Sequence, residues 1–165
     1  MNIMLFNRFC WMVMAVLMLG SGCKTRQSPA SEAEKVLTPE VISSGQNCGV
    51  TQPGNYFIED QDAWEKLWAE VTKGQIPTPP VPEVEFGEEV IVGFFMGQQN
   101  TGGYEVELKK AVLSNQELVL QLIFHKPGPG CFTTMALTQP FLLVKFKQAG
   151  IERINFSTEE MQQEC

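Results

Sequence analysis

Few side chains in this sequence could do nucleophilic or metal-binding chemistry: five cysteines and a single histidine, His125. A hydrolase nucleophile needs a base within hydrogen-bond reach, so any such site would depend on His125. His125 follows an apolar stretch and precedes Lys126. This position is typical of a partly exposed residue at the end of a strand. No two cysteines have the Cys-x-x-Cys spacing of a zinc site. We therefore expect no enzyme activity, no metal and no cofactor.

Cys23 stands in a different context, directly after three small residues and the uncharged stretch 9–19, which Arg8 precedes. A positive flank, a short apolar region and small residues at a cleavage site form a secretory signal peptide. With a cysteine just after them, the pattern resembles that of a bacterial lipoprotein. We expect a signal peptide over 1–22 and a lipid anchor on Cys23, in the cell envelope. Lys24 favours the outer membrane, and an ordinary signal peptide with Cys23 incidental is the alternative.

Three cysteines remain for the exported chain, at 48, 131 and 165. An oxidising compartment favours disulfides. Cys48 and Cys131 both lie beside glycine in loop-like sequence, so their pairing is our prediction, with Cys165 free. Pairing of Cys131 with Cys165 is the rival, and spacing does not exclude it.

The chain is acidic, with a formal net charge of −7. A nucleic-acid-binding protein normally clusters Lys and Arg on one face, which this sequence lacks, so we expect no nucleic-acid partner. Residues 23–43 are mostly small and polar and predict a flexible tether. A single compact domain is predicted over 44–158, followed by a polar tail over 159–165.

One helix and a series of short strands are predicted in this domain. Trp64, Leu67, Trp68 and Val71 recur at helical spacing, and Asp60 or Asp62 could cap the helix. Four prolines between 77 and 82 predict an extended connector. Strands are expected at 90–95, 104–109, 118–124, 135–138, 141–146 and 151–156, with 56–58 as an edge strand. The fold class is mainly β, a small antiparallel β-sandwich or barrel-like domain with the helix closing one end.

Two stiff, turn-forming loops stand out between the predicted strands. One contains two adjacent glycines, and the other alternates proline with glycine. Loops at one end of a sandwich commonly carry binding residues, although tight turns are the plainer interpretation. The candidate partner-binding residues are Asn100, Thr101, Gly102, Gly103, Tyr104, Pro127, Gly128, Pro129 and Gly130.

The order of several motifs resembles a known family, the PrcB C-terminal domain. The resemblance covers residues 44–156, and its motifs are at 62–68, 82–86, 90–97, 101–106, 127–131 and 138–141. The family is named after the lipoprotein subunit of a secreted subtilisin-like protease complex. The resemblance implies a small β-rich domain that accompanies or stabilises an envelope or secreted protease and cleaves nothing itself.

Three functions remain to be weighed. The one we favour is a non-catalytic, membrane-anchored lipoprotein that binds a protease. The Thr-Gly-Gly-Tyr run at 101–104 also looks somewhat like a loop of chagasin-type protease inhibitors, so inhibition is an alternative. A structural lipoprotein without a dedicated partner is the third, and it leaves the paired loops unexplained.

Overall fold

The computed structural model describes residues 34–147 and 150–165. The predicted signal peptide, Cys23 and the first part of the predicted tether lie outside these residues. Within them, no helix is long and apolar enough to cross a membrane. The elements, in chain order, are β1 (Lys35–Val36), β2 (Glu40–Gly45), β3 (Gly54–Ile58), α1 (Gln61–Val71), β4 (Glu89–Phe95), β5 (Glu105–Ser114), β6 (Glu117–Pro127), β7 (Phe141–Lys147) and β8 (Arg153–Gln163).

The strands form two four-stranded sheets. The order in the first sheet is β1-β5-β6-β8, and the order in the second is β2-β7-β4-β3. All neighbours are antiparallel except β6 and β8, which run parallel from Glu117 opposite Arg153 to Pro127 opposite Gln163. The expected β-sandwich is confirmed, with one parallel pair that the sequence did not predict.

Two apolar clusters hold the layers together. Alternate residues of β4 and β7, among them Val92 and Phe94, pack with β5 and β6 between the two sheets. The opposite face of the same strands, including Ile91 and Leu143, packs against the helix. The helix therefore covers the outer face of the second sheet, and the expectation that it closes one end of the sandwich is wrong. Strand β4 is buried on both faces because it lies between the helix and the other sheet.

The helix forms as its pattern predicts. Its apolar stripe is buried, and the Asp60 carboxylate accepts a hydrogen bond from the Ala63 backbone N–H at 2.9 Å, so Asp60 is the N-cap. The indole N–H groups of Trp64 and Trp68 donate to the carbonyl oxygens of Pro82 and Pro79. These bonds fix the proline-rich connector against the helix, since buried indole N–H groups need an acceptor.

Three boundaries differ from those predicted. Residues 35–43 of the expected tether include β1 and most of β2, because Leu37 and Ile42 reach the two apolar clusters. The expected tail from 159 is part of β8, whose backbone pairs with β6 as far as Gln163. Residues 135–138 form no strand and contribute only an isolated bridge between Thr138 and Gln99. In each case backbone pairing with a distant segment decides the structure, and local composition does not reveal it.

Candidate functional site

Three loops meet at one end of the sandwich, and we call them the loop end. They are residues 46–53 after β2, 96–104 after β4 and 128–140 after β6. Backbone hydrogen bonds join each to another: Gln98 N–H to Thr51, Gln99 with Thr138 in both directions, and Gln139 N–H to Gln46 at 2.7 Å. The loops therefore form one continuous surface.

The loop end carries no Asp, Glu, Lys, Arg or His in any of its three loops. This is notable in a chain with a net charge of −7. Charged side chains begin at its margin, where Glu70 and Lys73 lie beside the loop 46–53. Glu105, Glu164 and the ion pair of Lys126 with Glu160 at 2.6 Å adjoin the other two loops. An uncharged centre with a charged rim is the pattern of a protein-binding surface, because the interior of an interface is depleted of charge.

The candidate residues of the second loop, 96–104, lie mostly beneath this surface. Asn100 is exposed, Thr101, Gly103 and Tyr104 are half-buried, and Gly102 is buried. Gly102 donates its N–H to the Thr134 carbonyl oxygen at 3.0 Å, and the Thr101 carbonyl oxygen accepts from the Thr138 hydroxyl at 2.8 Å. The Tyr104 side chain packs against the apolar cluster between the sheets. This loop supports the third loop more than it presents side chains of its own.

The other candidate partner-binding residues are Pro127, the last residue of β6, and residues 128–130 of the third loop. Pro127 and Gly128 are half-buried, whereas Pro129 and Gly130 are exposed. Gly128 lies so close to the Gln163 carbonyl oxygen of β8 that a β-carbon would collide with it. The structure thus brings both predicted loops together at one end of the sandwich.

Sequence analysis missed the three most exposed apolar residues of this surface. Phe132 is fully exposed, Met135 is 98% exposed and Leu137 is 57% exposed. Met135 and Leu137 fall within the predicted strand over 135–138, and Phe132 lies in sequence predicted to be loop. The sequence does contain a signal for their exposure. Three large apolar residues occur in a charge-free segment that follows alternating proline and glycine, and a loop after such a turn has no sheet to bury them.

The predicted disulfide between Cys48 and Cys131 is wrong. Cys131 is bonded to Cys165, with a Cα–Cα distance of 5.4 Å, and Cys48 is free. The reason is the parallel pairing of β8 with β6. The last pair of this ladder is Pro127 with Gln163, and Cys131 and Cys165 follow it closely in their two segments. Cys165 is therefore not a free terminal thiol, and the rival pairing is the observed one.

The remaining reactive groups are separate from one another. His125 Nε2 lies 2.7 Å from Glu107 Oε2, on the face of the first sheet that points away from the core. Cys48 is half-buried, with Sγ 3.5 Å from the Gln139 carbonyl oxygen. Burial raises the pKa of the Cys48 thiol, with a further increase from the Glu70 carboxylate. A raised pKa keeps the thiol protonated and weakens it as a nucleophile. Among the described residues, no cluster of His, Cys, Asp or Glu could hold a metal ion.

Charge is concentrated at the other end of the second sheet. Lys145 Nζ lies 3.2 Å from Glu89 and 3.6 Å from Glu40. Burial alone would raise the pKa of Glu89, but the Glu85 backbone N–H and the Lys145 ammonium outweigh it and hold the pKa below its usual value. Burial would lower the pKa of Lys145, and the two carboxylates together raise it. This group ties β2, β7 and β4 together far from the loop end.

The architecture is that of a helix-covered β-sandwich with an uncharged loop end. Residues 90–147 match the family described as PrcB C-terminal. The matched residues run from β4 to the end of β7 and contain two of the three loops, 96–104 and 128–140. No curated protein and no solved structure matches the chain. The expected resemblance is confirmed over this narrower range.

Proposed function

We propose that this chain is a non-catalytic lipoprotein of the bacterial envelope whose β-sandwich binds a protease through the loop end. The observation that carries the proposal is the convergence of three charge-free loops on one surface in an acidic protein. The match of residues 90–147 to the PrcB C-terminal family supports the choice of a protease as the partner. The sequence around Cys23 supports a lipid anchor.

A binding role without catalysis is supported by the state of the reactive groups. Cys131 and Cys165 are joined, which removes both thiols as nucleophiles. Cys48 has a raised pKa, and His125 is bonded to a carboxylate on a different surface. A nucleophile and its base must lie within hydrogen-bond reach of each other, and these groups are on separate elements.

The test is co-purification from cells. The full chain, solubilised in mild detergent, is immobilised and offered a secreted subtilisin-like protease of the source organism in an inactivated form. We expect the wild-type chain to retain the protease. A chain in which loop 128–140 is replaced by a short glycine-serine linker should lose it. Equal retention by both chains, or by neither, contradicts the proposal.

A protease assay with the same two chains and the active form of the protease distinguishes the possible effects of binding. A stabilising subunit should lengthen the life of the active protease on heating and leave its initial rate unchanged. The chagasin-like alternative requires the initial rate to fall. The structure favours the first outcome, because the Thr101 carbonyl oxygen and Gly102 are held within the domain by hydrogen bonds and are not presented at a tip.

A further inference from the structure

The exposed apolar residues of the third loop are concentrated in one segment, residues 128–137, which we call the stapled segment. Phe132, Met135 and Leu137 lie within six positions of one another in the sequence. Large apolar side chains scattered singly over a surface need no explanation, but several on one charge-free loop do. Phe and Met are also enriched at protein interfaces.

The stapled segment is held at both ends. Cys131 is bonded to Cys165, which lies two residues beyond the end of β8. Thr134 accepts a hydrogen bond from the Gly102 N–H, and Thr138 exchanges backbone bonds with Gln99. The Cys131 N–H also donates to the Gly128 carbonyl oxygen at 3.2 Å. A loop fixed before binding loses less conformational entropy when the partner arrives.

We propose that the stapled segment is a preformed apolar plug that enters an uncharged hydrophobic pocket of the partner protein, with Phe132 as its anchor. This inference rests on the proposed function and identifies the chemistry of the partner site. Its three large apolar side chains are exposed, so a concave apolar site of the partner would remove them from water. Since no charge lies on it or on the adjoining loops, a partner pocket lined by charged groups would have to desolvate them without compensation.

A lipid surface is the less suitable occupant. Bacterial membranes carry anionic lipids, which attract Lys and Arg beside an inserted apolar loop. The margin of the loop end carries four glutamates and two lysines, one of which is already paired with a glutamate: Glu70, Glu105, Glu160, Glu164, Lys73 and Lys126, which is paired with Glu160. The same acidic margin disfavours a second copy of this chain, because like charges would meet around the contact.

The experiment compares Phe132→Ala with Ile76→Ala, a truncation of another large apolar side chain, which is 96% exposed but lies outside the loop end, next to the proline-rich connector. Both variants should have the melting temperature of the wild-type chain, since neither side chain is buried. The inactivated subtilisin-like protease is the probe, and the dissociation constant is measured. We expect binding by Phe132→Ala to be about 30-fold weaker than wild type and binding by Ile76→Ala to be unchanged.

The outcomes separate this inference from the proposed function. If the wild-type chain does not bind the protease, the proposed function fails and the plug fails with it. If the wild type and Phe132→Ala bind equally, the loop end remains the binding surface and the plug alone is overturned. Binding of phosphatidylethanolamine–phosphatidylglycerol vesicles by a Cys23→Ser chain, lost on Phe132→Ala, would assign the segment to a membrane. Dimerisation lost on Phe132→Ala would assign it to a second copy, and either result overturns the protein pocket.

Discussion

Gly102 is a residue at which two loops approach each other too closely to leave room for a side chain. A β-carbon there would lie 2.5 Å from Thr134 Oγ1, and its backbone N–H is bonded to the Thr134 carbonyl oxygen. The neighbouring Gly103 has a φ of +90°, a conformation that residues with a β-carbon rarely adopt. The glycine pair thus serves the packing of one loop beneath another, which a motif of adjacent glycines does not by itself reveal.

Gly102→Ala should lower the free energy of unfolding by about 1 to 2 kcal/mol, because the added methyl group overpacks the contact with Thr134. The double variant Gly102→Ala with Thr134→Ala should recover most of this loss, since removal of Oγ1 opens the space. Urea unfolding of the four chains of this cycle gives the coupling energy. Thr134→Ala alone should be nearly neutral, because the residue is exposed. Additive effects would show that the two loops do not touch.

The Glu89 carboxylate makes stability depend on pH. Its pKa in the folded chain is below the unfolded value of about 4.3. The stabilisation is therefore complete above that unfolded value and disappears as the pH falls through the lowered folded value. At pH 7, Glu89→Gln should cost about 3 kcal/mol, because it leaves the Lys145 ammonium, whose side chain is only 13% exposed, poorly compensated.

Chemical denaturation of both proteins at a series of pH values measures this effect. The difference between wild type and Glu89→Gln should shrink below about pH 4, where the wild-type carboxylate also becomes protonated. The matched control is Glu159→Gln, which breaks an exposed ion pair with Lys109 at 3.0 Å. Its cost should stay within about 1 kcal/mol. A constant difference for Glu89→Gln down to acid pH would contradict our assignment.

Among the elements, β8 decides how the loop end is assembled. Its parallel pairing with β6 places Gln163 beside Pro127 and brings Cys165 to Cys131. The strand is therefore part of the site, although the sequence from 159 onwards suggests only a polar tail. Polar residues are compatible with an edge strand that faces solvent, so composition could not distinguish the two.

Replacing Cys131 and Cys165 together by serine should lower the free energy of unfolding by about 3 to 4 kcal/mol. The cysteines are 34 residues apart, and opening a loop of that length restores chain entropy to the unfolded state. Cys48→Ser serves as the control and should leave the disulfide intact. Unfolding curves give the energies, and a non-reducing peptide map of the wild type identifies the bond. A map with Cys48 linked to Cys131 would contradict the structure.

Elements with a strong local pattern were predictable, and those that depend on distant partners were not. The helix and the doubly buried strand β4 follow directly from the spacing and continuity of their apolar residues. Asn115 and Gln116, both with positive φ, form the turn between β5 and β6, and asparagine is a residue type typical of such turns. At the site, both loops were predicted as candidate binding loops. The sequence does not predict that residues 101–104 support the loop 128–140 from beneath. Exposure of Phe132 and burial of Gly102 result from how one loop lies over another, which has no sequence period.

At the scale of the whole molecule, the two ends of the sandwich carry two kinds of surface. Ion pairs join the strands of the second sheet at one end, and the charge-free loops occupy the other. In our proposal, a lipid on Cys23 holds the chain at the membrane while residues 24–34 allow the domain to reach its partner. The anchor and the binding surface then act independently.

Cys23→Ser should therefore release the protein from the membrane without altering the folded domain, because no diacylglyceryl group can attach to serine. Membrane fractionation and incorporation of labelled fatty acid measure the anchor, and the melting temperature reports the domain. Cys48→Ser is the matched control and should remain membrane-bound. Unchanged membrane retention and an unchanged lipid label in Cys23→Ser would exclude the proposed anchor.

The link between Cys131 and Cys165 also orders events during biosynthesis. The thiol of Cys131 leaves the ribosome well before its partner, and both β7 and β8 are encoded between the two. The bond therefore closes only after translation has passed residue 165 and the chain has reached a compartment that oxidises thiols. A product truncated between residues 137 and 165 has the apolar residues of the third loop but lacks the covalent link that holds them, so the link and the exposed apolar surface are made at different times.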